Sequence, residues 1–399
     1  MKISEFETFV VGTPAPHHGG RYFIFVKLVT DDGIVGYGEI YCATFDPHTV
    51  AAMASDVIER NVIGSDPRAS ERLFRTVYSR GFTQRPDISL MGVFSGIEMA
   101  CWDISGKAAG LPVTEMVGGR VTDRLRTYTY LYPTDPGEDI YANRGVYSDP
   151  AVAAETAAHY AQLGHTAVKL DPMGGYYAND PRNPSLERLD LAEAMVGSIR
   201  DAVGSNADIL FGTHGQFTAA GALRLAERIE PFEPLWFEEP VPPDNNTAMS
   251  AVASGTRIPI AAGERLTTKY EFAPLLASGA IHIAQLNTAR AGGILESRKI
   301  TAIAEAHHAQ IAPHLYNGPI GAAANIAIAA TAPNFLILEA ILDFSGFHAE
   351  LLRTPLEWSD GAVVVPTSPG LGVELDETVA RAHPYTGDAL HLEMPWQNR

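Results

Sequence analysis

Glu264 follows Glu238 by 26 positions, and Glu238 follows Gly212 by the same interval. Each of the three closes a short apolar run, within ADILFGTH, EPLWFEE and IPIAAGE, so the interval is one strand-and-helix step and the three positions sit at equivalent depth on successive strands. Two carboxylates held at one height raise each other's pKa unless a cation neutralises them. Hard oxygen ligands suit magnesium, with water and a substrate carboxylate filling its remaining positions. The plainer alternative is salt bridging of Glu238 and Glu239 to nearby Arg or Lys.

The other strand ends are polar as well: Lys169 and Asp171, His214, Asn287, His314 and Glu339. Histidine titrates near neutrality and suits proton transfer, so His314 and His214 are candidates for base and acid. His214 has an alternative use as a cap for the helix that follows GTHGQF. Lys169 has one as a buried cation paired with Asp171. Glu339 either bonds a substrate oxygen or pairs with Arg290. His17, His18, Tyr41 and Phe45 in loops of the cap, and Tyr176 and Tyr177 in the insertion DPMGGYYANDP, are candidates to contact a substrate, with ordinary surface-loop positions as the alternative.

Such positions need a scaffold that gathers strand ends. From about Leu125, eight short apolar strands (RTYTYLY, HTAVKLD, ADILFGTH, EPLWFEE, IPIAAGE, IHIAQLN, AQIAPH and FLILEA) alternate with helical patterns such as GGILESRKITAIAEAHHA. That alternation argues a parallel barrel with the site at its carboxyl end. Ahead of it, RYFIFVKLVTDDGIVGYGEIY predicts a hairpin about Asp31, Asp32 and Gly33. Helices are predicted near 49–60, 68–79 and 92–108, the last ending at Gly110. The turn-rich GAVVVPTSPGLGVELD predicts packing back on the first domain. At 399 residues the chain exceeds one core. The expected division is an α+β cap over 1–122, a barrel over 123–350 and a C-terminal segment on the cap over 351–399.

Composition narrows the function. The formal net charge is -18, with no local Lys/Arg cluster, which makes nucleic acid and anionic membrane poor partners. An acidic chain also repels a carboxylate substrate unless a local cation intervenes. Two cysteines, Cys42 and Cys101, exclude a disulfide framework and fit a reducing compartment. MKISEFETFV lacks the pattern of a signal peptide, and GAAANIAIAATA is too short to span a bilayer, so a cytoplasmic location is expected.

In order along the chain, IEMACWDISGKAAGLPV with MVGG, AVKLDP, LWFEEPVPP, IPIAAGERL, ARAGGILESRKI, APHLYNGPIG and PGLGVELD resemble the mandelate racemase branch of the enolase superfamily. The resemblance spans nearly the whole chain. It implies a modified (β/α)7β TIM barrel under an α+β capping domain, the cap built from the N-terminal region and the C-terminal tail. It also implies a Mg2+ ion that binds substrate carboxylate and stabilises an ene-diolate after proton abstraction; this superfamily is a standard example of such tuning. By motif, Glu238 and Glu264 match the second and third metal ligands, and His314 the base on the seventh strand. Lys169 matches the first Lys of a paired-lysine motif, Glu339 the eighth-strand carboxylate, and His214 the acid of the sugar-acid dehydratases.

Three positions depart from the pattern. Gly212 stands where the first metal ligand is normally Asp, Asn287 where an Asp pairs with the base His, and Asp171 where racemases carry a second Lys. The missing Lys argues against two-base racemisation. Asp171 is the expected replacement ligand, with His214 as the alternative. Asn287 is expected to orient His314 by its amide oxygen. Tyr176, Tyr41 and His18, with Glu339 and Asn287, are expected around the substrate.

The function implied is dehydration of a sugar acid. Cycloisomerisation of an anhydro sugar acid or lactone is the alternative, and a binding protein that has lost its chemistry is the alternative of another class. A homo-oligomer is expected, as is usual for the family.

Overall fold

The computed structural model describes residues 1–82, 84–134 and 145–396. The chain opens with an antiparallel sheet of β1 (Ile3–Gly12), β2 (Tyr22–Thr30) and β3 (Val35–Ile40), joined in that order. Three helices cover it: α1 (Pro47–Asn61), α2 (Ser70–Arg80) and α3 (Ile88–Ala109), with the single turn α4 (Val113–Met116) after them. The Asp87 side chain accepts from Ser89 and Leu90 N–H, which starts α3 four residues ahead of the predicted 92, and Gly110 ends it in the left-handed region at φ 67°. The helix lies almost on the strand: a methyl group on Gly38 would sit 1.8 Å from the Gly96 carbonyl oxygen. Only the absence of side chains permits that approach.

The barrel alternates strand and helix: β4 (Arg124–Tyr130), α5 (Pro150–Gln162), β5 (Ala167–Leu170), α6 (Leu186–Val203), β6 (Asp208–Gly212), α7 (Ala219–Ile229), β7 (Trp236–Glu238) and α8 (Asn246–Gly255). It continues with β8 (Ile260–Ala262), α9 (Thr268–Ala277), β9 (Ile283–Ala284), α10 (Gly293–Ala306), β10 (Gln310–Ile311), α11 (Pro319–Ala330) and β11 (Leu338–Ala340). Neighbours pair in parallel from β4 through β10, and β11 pairs with β4. The remaining seam is sewn by Ile311 N–H to Asn334 O at 2.9 Å, Leu336 N–H to Ile311 O at 2.9 Å and Glu339 N–H to Pro313 O at 3.2 Å. Among the described residues, eight strands and seven intervening helices make the (β/α)7β barrel.

Tyr128, Ala167, Leu210, Trp236, Ala261, Ile283, Ala312 and Ile337, one from each strand or its edge, pack as a plug inside the barrel. Side chains alternate along a strand, so the residues two further on enter the same interior one layer nearer the carboxyl ends. Those residues are Tyr130, Lys169, Gly212, Glu238, Gly263, Gln285, His314 and Glu339.

The cap supplies what the barrel helices lack. Helices α10 and α11 have no side-chain cap of their own. Glu98 of α3 accepts from Ile294 N–H at 2.7 Å and Leu295 N–H at 3.1 Å, while Glu39 of β3 accepts from Gly318 N–H and, at 2.7 Å, from Gly321 N–H. Two buried carboxylates thus plug two positive helix ends. Burial nevertheless raises both, each to about 7.

The tail corrects one expectation. After α12 (Phe347–Glu350), the hairpin of β12 (Trp358–Ser359) and β13 (Ala362–Val364) pairs with β4 of the barrel, not with the cap. Only beyond it does the chain reach the first domain: Leu371 N–H donates to Asp103 of α3 at 2.9 Å, and α13 (Glu377–Ala382) leads to a bridge between Pro384 and Val11. Among the described residues no helix is long and apolar enough to cross a membrane.

Candidate active site

Lys169 is the hub of the layer above the plug. Its Nζ lies 2.5 Å from Glu238 Oε1, 3.8 Å from Glu339 Oε1 and 4.7 Å from the centre of the Tyr130 ring. It does not pair with Asp171, which corrects that alternative. Burial would lower its pKa, but Glu238, Glu339 and Glu264 outweigh burial and raise it, so it is a cation. Glu238 is gripped on its other oxygen by Trp236 Nε1 at 3.0 Å and Gln285 Nε2 at 2.6 Å. Glu239 turns away with φ 41° and meets Arg265 Nη2 at 2.7 Å, so the salt-bridge alternative holds for Glu239, as it does for Glu238 through Lys169.

Glu264 stands just past the end of β8, buried. Burial alone would raise it, yet the ring of His314 and the cations His214, Lys169 and Arg265 hold its carboxyl below the usual range. Its Oε2 is buried without a hydrogen-bond donor, and Asp171 Oδ1 is too. A Cβ on Gly212 would lie 2.5 Å from that Asp171 oxygen, so the Asp171 carboxylate occupies the space a side chain at 212 would take.

His214 sits at φ 47°, its Nδ1 2.6 Å from Tyr176 Oη and 3.3 Å from Asp171 Oδ2. Thr218, not His214, caps α7, which removes the capping alternative. Burial lowers the imidazole's pKa, but Asp171 and Glu264 prevail and raise it to about 9, leaving it protonated at neutral pH. His314 goes the other way, pushed down to about 3 chiefly by burial against the pull of Glu264. Its Nε2 lies 3.4 Å from Glu264 Oε2 and 3.9 Å from Glu339 Oε2.

Asn287 behaves unlike the expectation. Its Oδ1 accepts from Ala289 N–H at 2.8 Å, so its amide nitrogen, not its oxygen, faces His314 Nδ1 at 3.0 Å; the same nitrogen donates to Asn317 Oδ1 at 3.0 Å. Both terminal atoms of the buried Asn287 side chain are thus hydrogen-bonded to protein groups. Glu339 does not pair with Arg290 either: it accepts from Leu315 N–H at 2.8 Å, and burial raises it to about 7. Arg290 instead donates to the Glu264 carbonyl at 2.8 Å and lies over the Tyr41 ring at 3.9 Å.

From the cap, Tyr41 stacks on His314 with ring centres 5.8 Å apart, and His18 meets Tyr132 at 4.8 Å. Burial lowers the His18 ring to about 4. His17 bonds Thr13 within its own loop, Tyr177 stays against Gly175, and Phe45 is exposed. Tyr130, Trp236, Gln285 and Arg265 belong to the site but were not singled out from sequence. The signal for Tyr130 and Gln285 was the two-residue step above a buried apolar residue on their strands.

Residues 151–379 match the model of the enolase C-terminal domain-like family, and residues 13–118 match the mandelate racemase / muconate lactonizing enzyme N-terminal domain. The D-galactonate dehydratase of Xanthomonas oryzae pv. oryzae is 34% identical over 390 residues, covering 96% of this chain and 94% of the relative. The D-xylonate dehydratase of Haloferax volcanii is 32% identical over 379 residues, with coverage of 94% and 88%. A crystal structure from Labrenzia alexandrii, of a protein assigned to the mandelate racemase/muconate lactonizing enzymes, superposes with a TM-score of 0.96 at 56% identity over 100% of this chain and 99% of that one. The order of motifs, the capped barrel and both domain matches agree: the chain belongs to the mandelate racemase/muconate lactonizing enzyme branch of the enolase superfamily.

Proposed function

We propose that the chain is a magnesium-dependent sugar-acid dehydratase, a hydro-lyase that takes the proton next to a carboxylate and expels the β-hydroxyl as water. The observation that carries this reading is the pair of carboxylates Asp171 and Glu264, each with a buried oxygen lacking a donor, which together keep His214 protonated at the barrel mouth. Relatives at about one-third identity bear the names of D-galactonate and D-xylonate dehydratases, which favours dehydration over ring opening.

The donor set fits a hard divalent cation. Asp171, Glu238 and Glu264 would hold it, all through carboxylate oxygens, and Gly212 leaves the room that Asp171 uses. Among the described residues no trio of His, Cys, Asp or Glu is already gathered as a cage, so Glu238 would loosen its hold on Lys169 or Gln285 to take part. When bound, magnesium supplies Lewis-acid neutralisation of the charge that builds on the substrate carboxylate.

The residues divide the remaining work. The α C–H bond breaks and its electrons form the new double bond; the proton goes to His314 Nε2 where that nitrogen carries a lone pair, or to Lys169 Nζ after its ammonium has passed a proton to the Glu339 carboxylate 3.8 Å away. As the β C–O bond breaks, the departing oxygen takes the proton of His214 and leaves as water. Tyr176 and Asp171 hold the His214 ring by its Nδ1, so the other ring nitrogen is the one presented.

A mass-resolved screen of sugar acids with Mg2+ tests the reading. Loss of one water is the expected result. Unchanged mass with a new product indicates cycloisomerisation of an anhydro sugar acid, and binding without exchange of the α-proton in deuterated water indicates a binding protein; either result overturns the dehydratase reading.

A further inference from the structure

We infer that Asn287 locks His314 as a neutral imidazole with its proton on Nε2, so that His314 serves as a fixed hydrogen-bond donor to a substrate oxygen and not as the acceptor of the α-proton. The inference rests on the proposed sugar-acid chemistry for its consequence, but its geometric basis is independent of any substrate.

A backbone N–H only donates. Ala289 N–H lies 2.8 Å from one terminal atom of the Asn287 side chain, so that atom is the amide oxygen. The reversed amide would set two donors against each other in a buried site. The amide nitrogen is thereby directed at His314 Nδ1, 3.0 Å away, and at Asn317 Oδ1, 3.0 Å away, which uses both of its hydrogens. His314 Nδ1 must then be the bare, accepting nitrogen, and the ring proton resides on Nε2.

The far side of the ring agrees. Nε2 faces Glu264 Oε2 at 3.4 Å and Glu339 Oε2 at 3.9 Å. A lone pair there would confront two acceptors, whereas an N–H is drawn to them. An Asp at 287 would keep the bond from Ala289 through one oxygen and accept an Nδ1 proton through the other, which frees the Nε2 lone pair. The single change from Asp to Asn inverts the tautomer. A neutral imidazole N–H aimed at developing charge acts as an electrophile, a role known for histidine in other barrels. It leaves Lys169 as the other nitrogen of the layer to receive the α-proton, once its ammonium has passed a proton to the Glu339 carboxylate 3.8 Å away.

The test is nuclear magnetic resonance on ligand-free protein carrying 15N-labelled histidine, with the His314 signals identified by their loss in His314→Gln. The expected wild-type pattern is a protonated Nε2 and a bare Nδ1 at neutral pH, with the two exchanged in Asn287→Asp. A wild-type ring protonated on Nδ1 overturns the inference, whatever the activity. On a substrate found by the mass screen, Asn287→Asp is expected to lower kcat by about 10-fold or more with KM little changed. His314→Gln retains a neutral N–H but no basic nitrogen, so α-proton exchange is expected to persist, reduced by no more than about 10²–10³-fold; folded His314→Gln with no exchange at all overturns the donor role. A protein that dehydrates no sugar acid yet shows the Nε2 proton loses the proposed reaction and supports the tautomer assignment.

Discussion

Gly212 and Asp171 contend for one space: a Cβ at position 212 would lie 2.5 Å from Asp171 Oδ1. The resemblance places an acid at 212, on β6; under the proposed reading Asp171, just past the end of β5, supplies the acid instead. Gly212→Ala is therefore expected to displace the Asp171 carboxylate and weaken Mg2+ binding by about 10–100-fold. Gly212→Asp combined with Asp171→Gly returns the acid to β6 and is expected to recover most of that affinity. Isothermal titration of Mg2+ into each variant checks both.

The Tyr176 hydroxyl touches His214 Nδ1 at 2.6 Å, and Asp171 stands behind at 3.3 Å. Tyr176→Phe removes one of two holds on the ring and leaves the stronger, charged one. An approximately tenfold loss of kcat is expected, without change in thermal stability. Steady-state kinetics with a melting curve separates the two effects.

Buried Glu98 and Glu39 give the cap its pH response. Both pKa values are raised from 4.5 to about 7 by burial, so between those values the folded chain binds more protons than the unfolded one. Their contribution is complete below about pH 4.5 and is lost as pH rises through about 7. Between pH 5.5 and 8, wild type is expected to lose about 2 kcal/mol more stability than Glu98→Gln, which cannot ionise. Urea unfolding at the two pH values provides the comparison; equal slopes with pH would contradict the assignment.

Packing of α3 on β3 leaves no room for a side chain at Gly38, where a methyl group would meet the Gly96 carbonyl at 1.8 Å. Gly38→Ala is expected to cost about 3 kcal/mol or more, because backbone must move against backbone. Denaturant melts give that number, and a variant as stable as wild type would refute the close approach.

Much of this architecture is legible in the chain because it repeats. The 26-residue step from Gly212 to Glu238 matches the register, in which the two residues are partners, whereas the equal step to Glu264 overshoots: Glu238 pairs with Ala261, and Glu264 lies just past the end of β8. The two-residue period within a strand was the stronger rule, and it also locates Tyr130 and Gln285, whose residue types announce no chemistry alone. What stayed hidden depends on contacts between distant segments. Glu39 bonds Gly318 and Gly321 across more than half the chain, and Glu98 bonds Ile294 196 positions on; neither pairing leaves a local pattern. The β13 pairing with β4 was hidden by Pro and Gly residues that make its segment read as turns. The orientation of Asn287 was decided by one backbone N–H two residues on, which no spacing of side chains reveals.

The reading of the whole site depends on where a divalent ion settles, and a crystal grown with Mn2+ in place of Mg2+ locates it by its anomalous signal. The expected result is a peak about 2.0–2.3 Å from oxygens of Asp171, Glu238 and Glu264 together. A peak ligated by His214 with Asp171 turned away, or no peak at these carboxylates alongside turnover that survives a chelator, would contradict it.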